Sequence, residues 1–369
     1  MVDRIFPDER SRAIFNDPTV PNVFLMGLPK SGKTSINHVV FQKSSPHETL
    51  YLQPTPVPSI HRLNSNILLQ IVVVDFPGAF FAETEAQESA LFSKASAIVI
   101  VIDAQNEPYT SDIDFAFEVI RRASAVKKDI HFEVFIHKMD GDIFALDEAR
   151  TECTREIHSA LANLLHSVDL QPIVGFYSTS IYDHTIFEAL SRVVQRLIPP
   201  VAVLDNLLDI LVQNCRMEKA FLFDVVSKLF IATDSSPVEP ACYELCSDLI
   251  DVVIEVTCIY GQTERERERE RERERRRSSA ASAASSAEGG EGEQRGYSCL
   301  IHLNNGLLLY LKEVDKMLAL VCVVREEFFD RQHLVDYNIS VFRDVLGKLP
   351  MRHPPYLGSS SFDEGGERG

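Results

Sequence analysis

Apolar residues recur along this chain in two rhythms. From residue 22 to about 198, short apolar runs alternate with longer stretches whose apolar positions fall three and four apart. The runs predict buried strands at 22–26, 67–74, 97–102, 131–136 and 173–177. The longer stretches predict helices near 34–42, 84–93, 111–127, 147–166 and 183–197, the last ended by Pro199 and Pro200. Such alternation implies βαβ units, and so an α/β fold whose mostly parallel sheet carries helices on both faces.

Beyond 200 the rhythm changes. Leu204, Leu207, Leu208 and Leu211 make one helical face, and Ala220 to Asp234 reads as a hairpin. Cys242, Leu245, Cys246, Leu249, Ile250 and Val253 form a second helical face. SCLIHL and LLLYLK flank Asn304-Asn305-Gly306, a strong hairpin turn signal. A strand at Leu318 to Val324 follows, then a helix holding Leu334, Tyr337, Val341, Phe342 and Val345. This order predicts a second, α+β domain with one antiparallel sheet.

The expected organisation is a flexible N-terminus at 1–20, an α/β domain at 21–199, an α+β domain at 200–350 and a flexible tail at 351–369. Thr263 to Arg277 is an alternating Glu-Arg tract followed by a Ser/Ala/Gly-rich stretch. With no apolar face to bury, residues 262–297 read as a disordered insertion in the second domain.

A length of 369 residues suits two domains, and the net charge of -17 argues against nucleic acid or anionic lipid as a broad electrostatic partner. The seven cysteines show no metal-ligand spacing; Cys242 and Cys246 lie one turn apart without a second pair, and reduced buried thiols are expected. MVDRIFPDER has no signal-peptide core, and no run approaches the roughly 18 apolar residues of a membrane span. Val2 and the final GGERG fit no lipidation pattern. Direct membrane insertion is not expected, and any membrane role needs a partner to carry the chain there.

Chemistry enters at GLPKSGKT, Gly27 to Thr34, which has the spacing of a phosphate-binding loop between a strand and a helix. Gly27, Lys30, Ser31, Gly32, Lys33, Thr34 and Ser35 are the candidate phosphate contacts, with the Thr34 hydroxyl a Mg²⁺ ligand. Three further motifs follow in order, each at a strand end, where open α/β sheets bind ligands. Asp75-Phe76-Pro77-Gly78 offers a carboxylate for Mg²⁺ and a Gly78 amide for a γ-phosphate. His137-Lys138-Met139-Asp140 offers an acceptor that suits the donors on guanine N1 and N2, and a Lys stem to lie along the base. In Thr179-Ser180-Ile181 a backbone amide suits guanine O6. Between these, Pro54, Pro56 and Pro58 keep YLQPTPVPS extended and make Thr55 the first candidate for a switch threonine on Mg²⁺, with Thr49 competing. An adenine-specific P-loop kinase or ATPase is a rival reading that Asp140 argues against.

Taken with VVFQKSSPHETLYLQPT, VIDAQ, FEVFIHKMD, TSIYDHTIFEALSRVVQRLIP and EKAFLFDVVSKLFIATDSSPVE, these motifs resemble a Rag GTPase of the C/D class over residues 22 to about 350. His137, in place of the more usual Asn, fits that class. The resemblance implies a Ras-like P-loop GTPase domain followed by a roadblock-like domain, with GTP or GDP and Mg²⁺ as ligands. It implies a heterodimer with a Rag A/B-class GTPase through the second domain. The pair would signal amino-acid sufficiency to the TOR kinase complex, from a cytoplasmic location recruited to the lysosomal or vacuolar surface by a scaffold.

Two positions depart from a hydrolytic site. Ala79 stands where Ras-like enzymes carry the Gln that orients the attacking water. Pro29 supplies no amide within the phosphate loop. Slow intrinsic hydrolysis is expected, and a slowly cycling scaffold subunit is the alternative to a switch. Gln87 and Gln105 are nearby, with nothing in the sequence to place them on the water. The stretch after Ala79 also looks shorter than the family's, and places the usual effector surface in question.

Overall fold

The computed structural model describes residues 6, 8–66, 68–256, 297–329 and 331–349, so the Glu-Arg tract and the expected C-terminal tail lie outside it. The chain divides between Val201 and Ala202 into two compact units.

In the first unit, buried apolar runs form six strands: β1 (Asn22–Met26), β2 (Ser59–Asn64), β3 (Gln70–Asp75), β4 (Ala95–Asp103), β5 (His131–His137) and β6 (Val174–Thr179). Their order is β2-β3-β1-β4-β5-β6. All neighbours are parallel except β2 and β3. The central strands bury both faces, which is why they read as unbroken apolar runs. The register aligns Leu25 with Asp75, Asp103 with His137, and His137 with Thr179. Four of the motif-bearing strand ends therefore emerge on one rim.

The helices are α1 (Glu9–Phe15), α2 (Lys33–Phe41), α3 (Glu85–Phe92), α4 (Thr110–Val126), α5 (Asp147–Ser167) and α6 (Thr185–Leu197). Phe24, Val72, Val74, Ile98 and Ile100 share one core with Phe15, Phe92, Val119, Ile157 and Leu161 of α1, α3, α4 and α5. Residues one step along each strand, such as Val23, Val73 and Val99, are equally buried, as are Ile36 and Val40 of α2 and Ile186 and Val193 of α6.

Two expectations are corrected here. The N-terminal stretch is not structureless. Asp8 caps α1 by accepting from the Ser11 amide at 2.8 Å, and Phe6 and Phe15 are buried. A seven-residue helix with so few apolar positions shows too little of a period to be read. The second correction is β2, an antiparallel edge strand directly after Pro58, where only an extended connector was expected. One side of an edge strand faces solvent, so its apolar signal is weak.

The second unit holds β7 (Met217–Asp224), β8 (Phe230–Thr233), β9 (Ser298–His302), β10 (Leu307–Asp315) and β11 (Leu318–Arg325), in the order β8-β7-β11-β10-β9. Every pair is antiparallel. With it go α7 (Val201–Cys215), a helix α8 over 240–256 and α9 (Gln332–Leu346). Phe221, Phe223 and Phe230 meet Tyr243 of α8 at centroid distances of 5.6–6.1 Å. The fold is thus the expected one: a G-protein-like α/β domain, then an antiparallel α+β domain consistent with a roadblock-like one. The expected last helix is α9, and it turns only part of its apolar set inward. Val335, Ile339, Phe342 and Leu346 are buried, whereas Leu334, Tyr337 and Val341 are exposed. Apolar residues occur on two sides of this helix, and the period alone does not choose between them.

Candidate functional site

The rim gathers a phosphate-loop end and a base-loop end. At the first, β1 ends at Met26, the chain turns through Leu28 to Ser31, and α2 begins at Lys33. Gly32 caps α2 with φ 104°, and a Cβ there would lie 2.6 Å from the His137 ring. Only glycine meets both conditions. The Lys33 ammonium is buried and donates to the carbonyls of Gly27 (3.0 Å) and Leu28 (2.9 Å). Burial pulls its pKa down to about 8, against the opposing pull of Asp75 and Asp112. Ser31 is fully buried, Lys30 has φ 67°, and Ser35 sits half-buried in the first turn of α2.

Three oxygens from separate elements converge beside this loop. The Thr34 hydroxyl donates to Asp75 Oδ2 at 2.7 Å and lies 2.8 Å from the Thr55 hydroxyl. Asp75 is fully buried, and its Oδ1 has no hydrogen-bond partner among the described residues. Burial raises its pKa, opposed by the Thr34 hydrogen bond and by Lys33. A buried, half-satisfied carboxylate beside two hydroxyls is an all-oxygen donor set that suits a hard divalent cation such as Mg²⁺. Thr49 is turned elsewhere: its hydroxyl donates to Pro46 O (2.7 Å) inside the 3-10 turn Pro46–Tyr51.

The loop after β3 rests directly on the phosphate loop. The Ala79 amide donates to Gly27 O at 3.0 Å, and a Cβ on Gly78 would come within 2.5 Å of Pro29 N and Cα. Ala79 holds φ 56°, a left-handed conformation that costs an L-residue about 1–2 kcal/mol. Neither nearby glutamine stands with these groups. Gln87 is buried in the first turn of α3, and Gln105 Nε2 donates to Lys138 O at 2.9 Å.

At the base end, Asp140 is exposed and its Oδ1 accepts from Ser180 Oγ at 2.8 Å. The Ser180 amide is itself engaged by the Thr185 hydroxyl (2.9 Å), and Ile181 is the next residue along this corner. Lys138, at φ 65°, reaches back with its ammonium to Lys30 O (2.8 Å) and to the Asp103 carboxylate. His137 is buried under the phosphate loop, its ring against Gly32. Its Nδ1 is 3.0 Å from the Thr179 hydroxyl, and desolvation lowers its pKa to about 3, so the ring is neutral. It joins the two ends: Gly32 above, Thr179 beside. Sequence reasoning named Thr179 only as part of its motif and missed Asp103 and Thr185 as supports. Asp103 ends β4 on this rim, and Thr185 opens α6 after the β6 corner.

Comparison with known proteins follows the same lines. A profile of the Gtr1/RagA G protein conserved region matches residues 22–250. The chain belongs to the Gtr1/RagA family. Within it, the chain is 44% identical over 336 residues to Ras-related GTP-binding protein C of Homo sapiens, covering 90% of this chain and 77% of that one. It is similarly 44% identical to Ras-related GTP-binding protein D of Mus musculus, covering 91% and 70%. GTP-binding protein GTR2 of Saccharomyces cerevisiae is 36% identical, over 88% of this chain and 91% of its own. The Gtr1/RagA match begins at the first residue of β1 and runs through Ile250 of α8, so it takes in both rim ends.

Proposed function

We propose that this chain is a guanine-nucleotide-binding regulatory subunit. On this reading it pairs with a Rag A/B-class GTPase and signals amino-acid sufficiency to the TOR kinase complex at the lysosomal or vacuolar surface. The observation that carries the nucleotide part is the convergence of Thr34, Thr55 and Asp75 beside the Gly27–Thr34 loop, with Asp75 Oδ1 left unpartnered. Thr34, Thr55 and Asp75 would hold Mg²⁺ together with nucleotide phosphates and water. The cation would supply charge neutralisation between phosphate oxygens.

The chain's own residues account for the rest. Lys33 and the amides of the α2 N-terminus attract the phosphates. Asp140, held by Ser180, accepts from guanine. Lys138 clamps the base loop to the phosphate loop at Lys30. The pairing, the TOR output and the localisation rest on likeness to relatives of the C/D type. No single helix among the described residues is long and apolar enough to cross a membrane.

Fluorescent-nucleotide titration with and without Mg²⁺ tests the site. Guanine nucleotides should bind with clear preference over adenine ones, and equal binding would sink the reading. Tagging the chain and identifying what co-purifies tests the pairing; a stable, well-folded lone monomer would count against it. Ala79 and Pro29 favour a second version, a nucleotide-bound scaffold subunit that seldom cycles. Turnover of the purified heterodimer separates the two.

A further inference from the structure

A chain of touching aromatic rings joins the N-terminal helix to the loop that faces the phosphates. Phe6 and Phe15 lie with ring centroids 4.8 Å apart. Phe15 stacks on Phe24 of β1 at 6.1 Å, with the planes 18° apart. Phe24 meets Phe76 nearly edge-on at 5.1 Å, and Phe76 meets Phe80 at 4.9 Å. The first four rings are at most 1% exposed, and Phe80 is half-buried at the outer end.

These rings bracket the loop. Phe76 directly follows Asp75, and its amide donates to Leu25 O at 3.1 Å. Gly78 and Ala79, which rest on the phosphate loop, lie between Phe76 and Phe80. A close-packed interior passes a displacement on rather than absorbing it. Phe80, two residues beyond Gly78, packs on Phe76, and Phe76 packs on Phe24, which is stacked on Phe15. The far end is anchored as well: Asn22 Nδ2 donates to the carbonyls of Phe15 (3.3 Å) and Lys94 (3.2 Å). The Asp17 carboxylate meets Arg62 of β2 at 3.3 Å.

We propose that Phe15 is a positioning residue for the loop 75–80, acting through Phe24 and Phe76, so that α1 helps set the preference for a nucleoside triphosphate over a diphosphate. The inference rests on the guanine-nucleotide reading of the site. The stack holds Gly78 against the phosphate loop, where its amide can meet a third phosphate. Loosening the stack weakens triphosphate binding and leaves diphosphate binding in place.

The test measures affinities for GDP and a non-hydrolysable GTP analogue, with thermal unfolding alongside, on the full chain. The proteins are the unmodified chain, Phe15→Leu, Phe80→Leu, the double variant and Ile157→Val, a core change in α5. Phe15→Leu and Phe80→Leu should each raise the ratio of triphosphate to diphosphate Kd by about threefold or more. The double variant should give less than the product of the two, since both break one chain of contacts. Ile157→Val should lower Tm and leave the ratio unchanged. A Phe15→Leu protein with lowered Tm and an unchanged ratio would overturn the proposal. Should that variant not fold, Phe80→Leu and Phe15→Met decide the matter by the same ratio. Failure of the unmodified chain to bind any guanine nucleotide would instead overturn the reading of the site, and this proposal with it.

Discussion

The hydroxyls of Thr34 and Thr55 lie 2.8 Å apart, one in the first turn of a helix and the other in a proline-rich loop that no helix or strand holds. The hydroxyl contact ties the loop to the helix at this point, where a ligand between them can act on the loop directly. Thr55→Ala should weaken GTP in Mg²⁺ by about 10-fold or more, the scale of a lost hydrogen bond near charge, and hardly change GDP. Thr34→Ala, which removes the hydroxyl on Asp75 as well, should weaken both. Titrations in Mg²⁺ and in EDTA read the difference. Equal losses of GTP and GDP affinity in Thr55→Ala would remove Thr55 from the switch role.

Gly78→Ala tests the seat of the phosphate-facing loop. Its new methyl would meet Pro29 backbone and ring atoms at 2.5–2.6 Å, atoms that cannot swing aside. The loop has to lift, and GTP affinity should fall by about 10-fold or more, as for other strained contacts. Pro29→Ala alone should leave GTP affinity near that of the unmodified chain, and combined with Gly78→Ala it should restore part of the loss. Gly78→Ala binding GTP normally would show that the loop does not sit on Pro29 in the working protein.

Two buried groups give stability opposite dependences on pH. His137 falls from 6.5 to about 3 in the folded chain because it is desolvated. The unfolded chain thus binds the extra proton, and stability is lost as pH falls from 6.5 towards 3. Glu133, buried on β5 beside Arg196 of α6, is raised from 4.5 to about 7, again by desolvation. Here the folded chain binds the extra proton. The stabilisation is full below 4.5 and is lost as pH rises to 7. In the unmodified protein the two slopes partly cancel between 4.5 and 6.5. Glu133→Gln should expose the histidine slope, with Tm falling more steeply on acidification. His137→Asn should expose the opposite one. Tm profiles from pH 4.5 to 7.5 check both, and parallel profiles in all three proteins would refute the assignment.

Hydrolysis should be slow. With Ala79 at the position of the water-orienting glutamine, intrinsic multiple turnover should stay below about 10⁻³ s⁻¹. Gln105 is engaged elsewhere, its side-chain amide donating to Lys138 O at 2.9 Å. Ala79→Gln should raise single-turnover hydrolysis by about tenfold, since water positioning is what the residue contributes. A fast unmodified enzyme, measured by phosphate release, would show that another group orients the water.

The sequence made legible those parts of the fold and site that depend on local pattern. β1, β4 and β5 announce themselves as apolar runs because helices cover both their faces, and the motifs at their ends were readable because spacing along the chain fixes them. What stayed hidden depends on distant partners. β2 has meaning only as a neighbour of β3, and α1 only as a lid over Phe24. The sequence left Thr55 and Thr49 both open, because neither the 3-10 turn that directs Thr49 to Pro46 nor the Thr34–Thr55 contact is visible in it. His137 looked like a ligand because its neighbours in the motif are candidates for one. Its direction, inward beneath Gly32, is set by β5 alternation, which sends residues 133, 135 and 137 to the same side of the sheet.

The packing of His137 against Gly32 also limits what inheritance can place at position 137. A replacement has to fill the space over one α-carbon, exchange one hydrogen bond with Thr179 and carry no charge under the phosphates. Neutral histidine meets all three conditions and asparagine the last two, whereas an alkyl side chain loses the bond and lysine brings a charge. Descent can therefore trade one for the other with little consequence for the pocket above. The trade changes mainly volume, so relatives with the smaller residue at this place should show their compensating change in the helix-capping turn around Gly32 and not among the groups that meet the base.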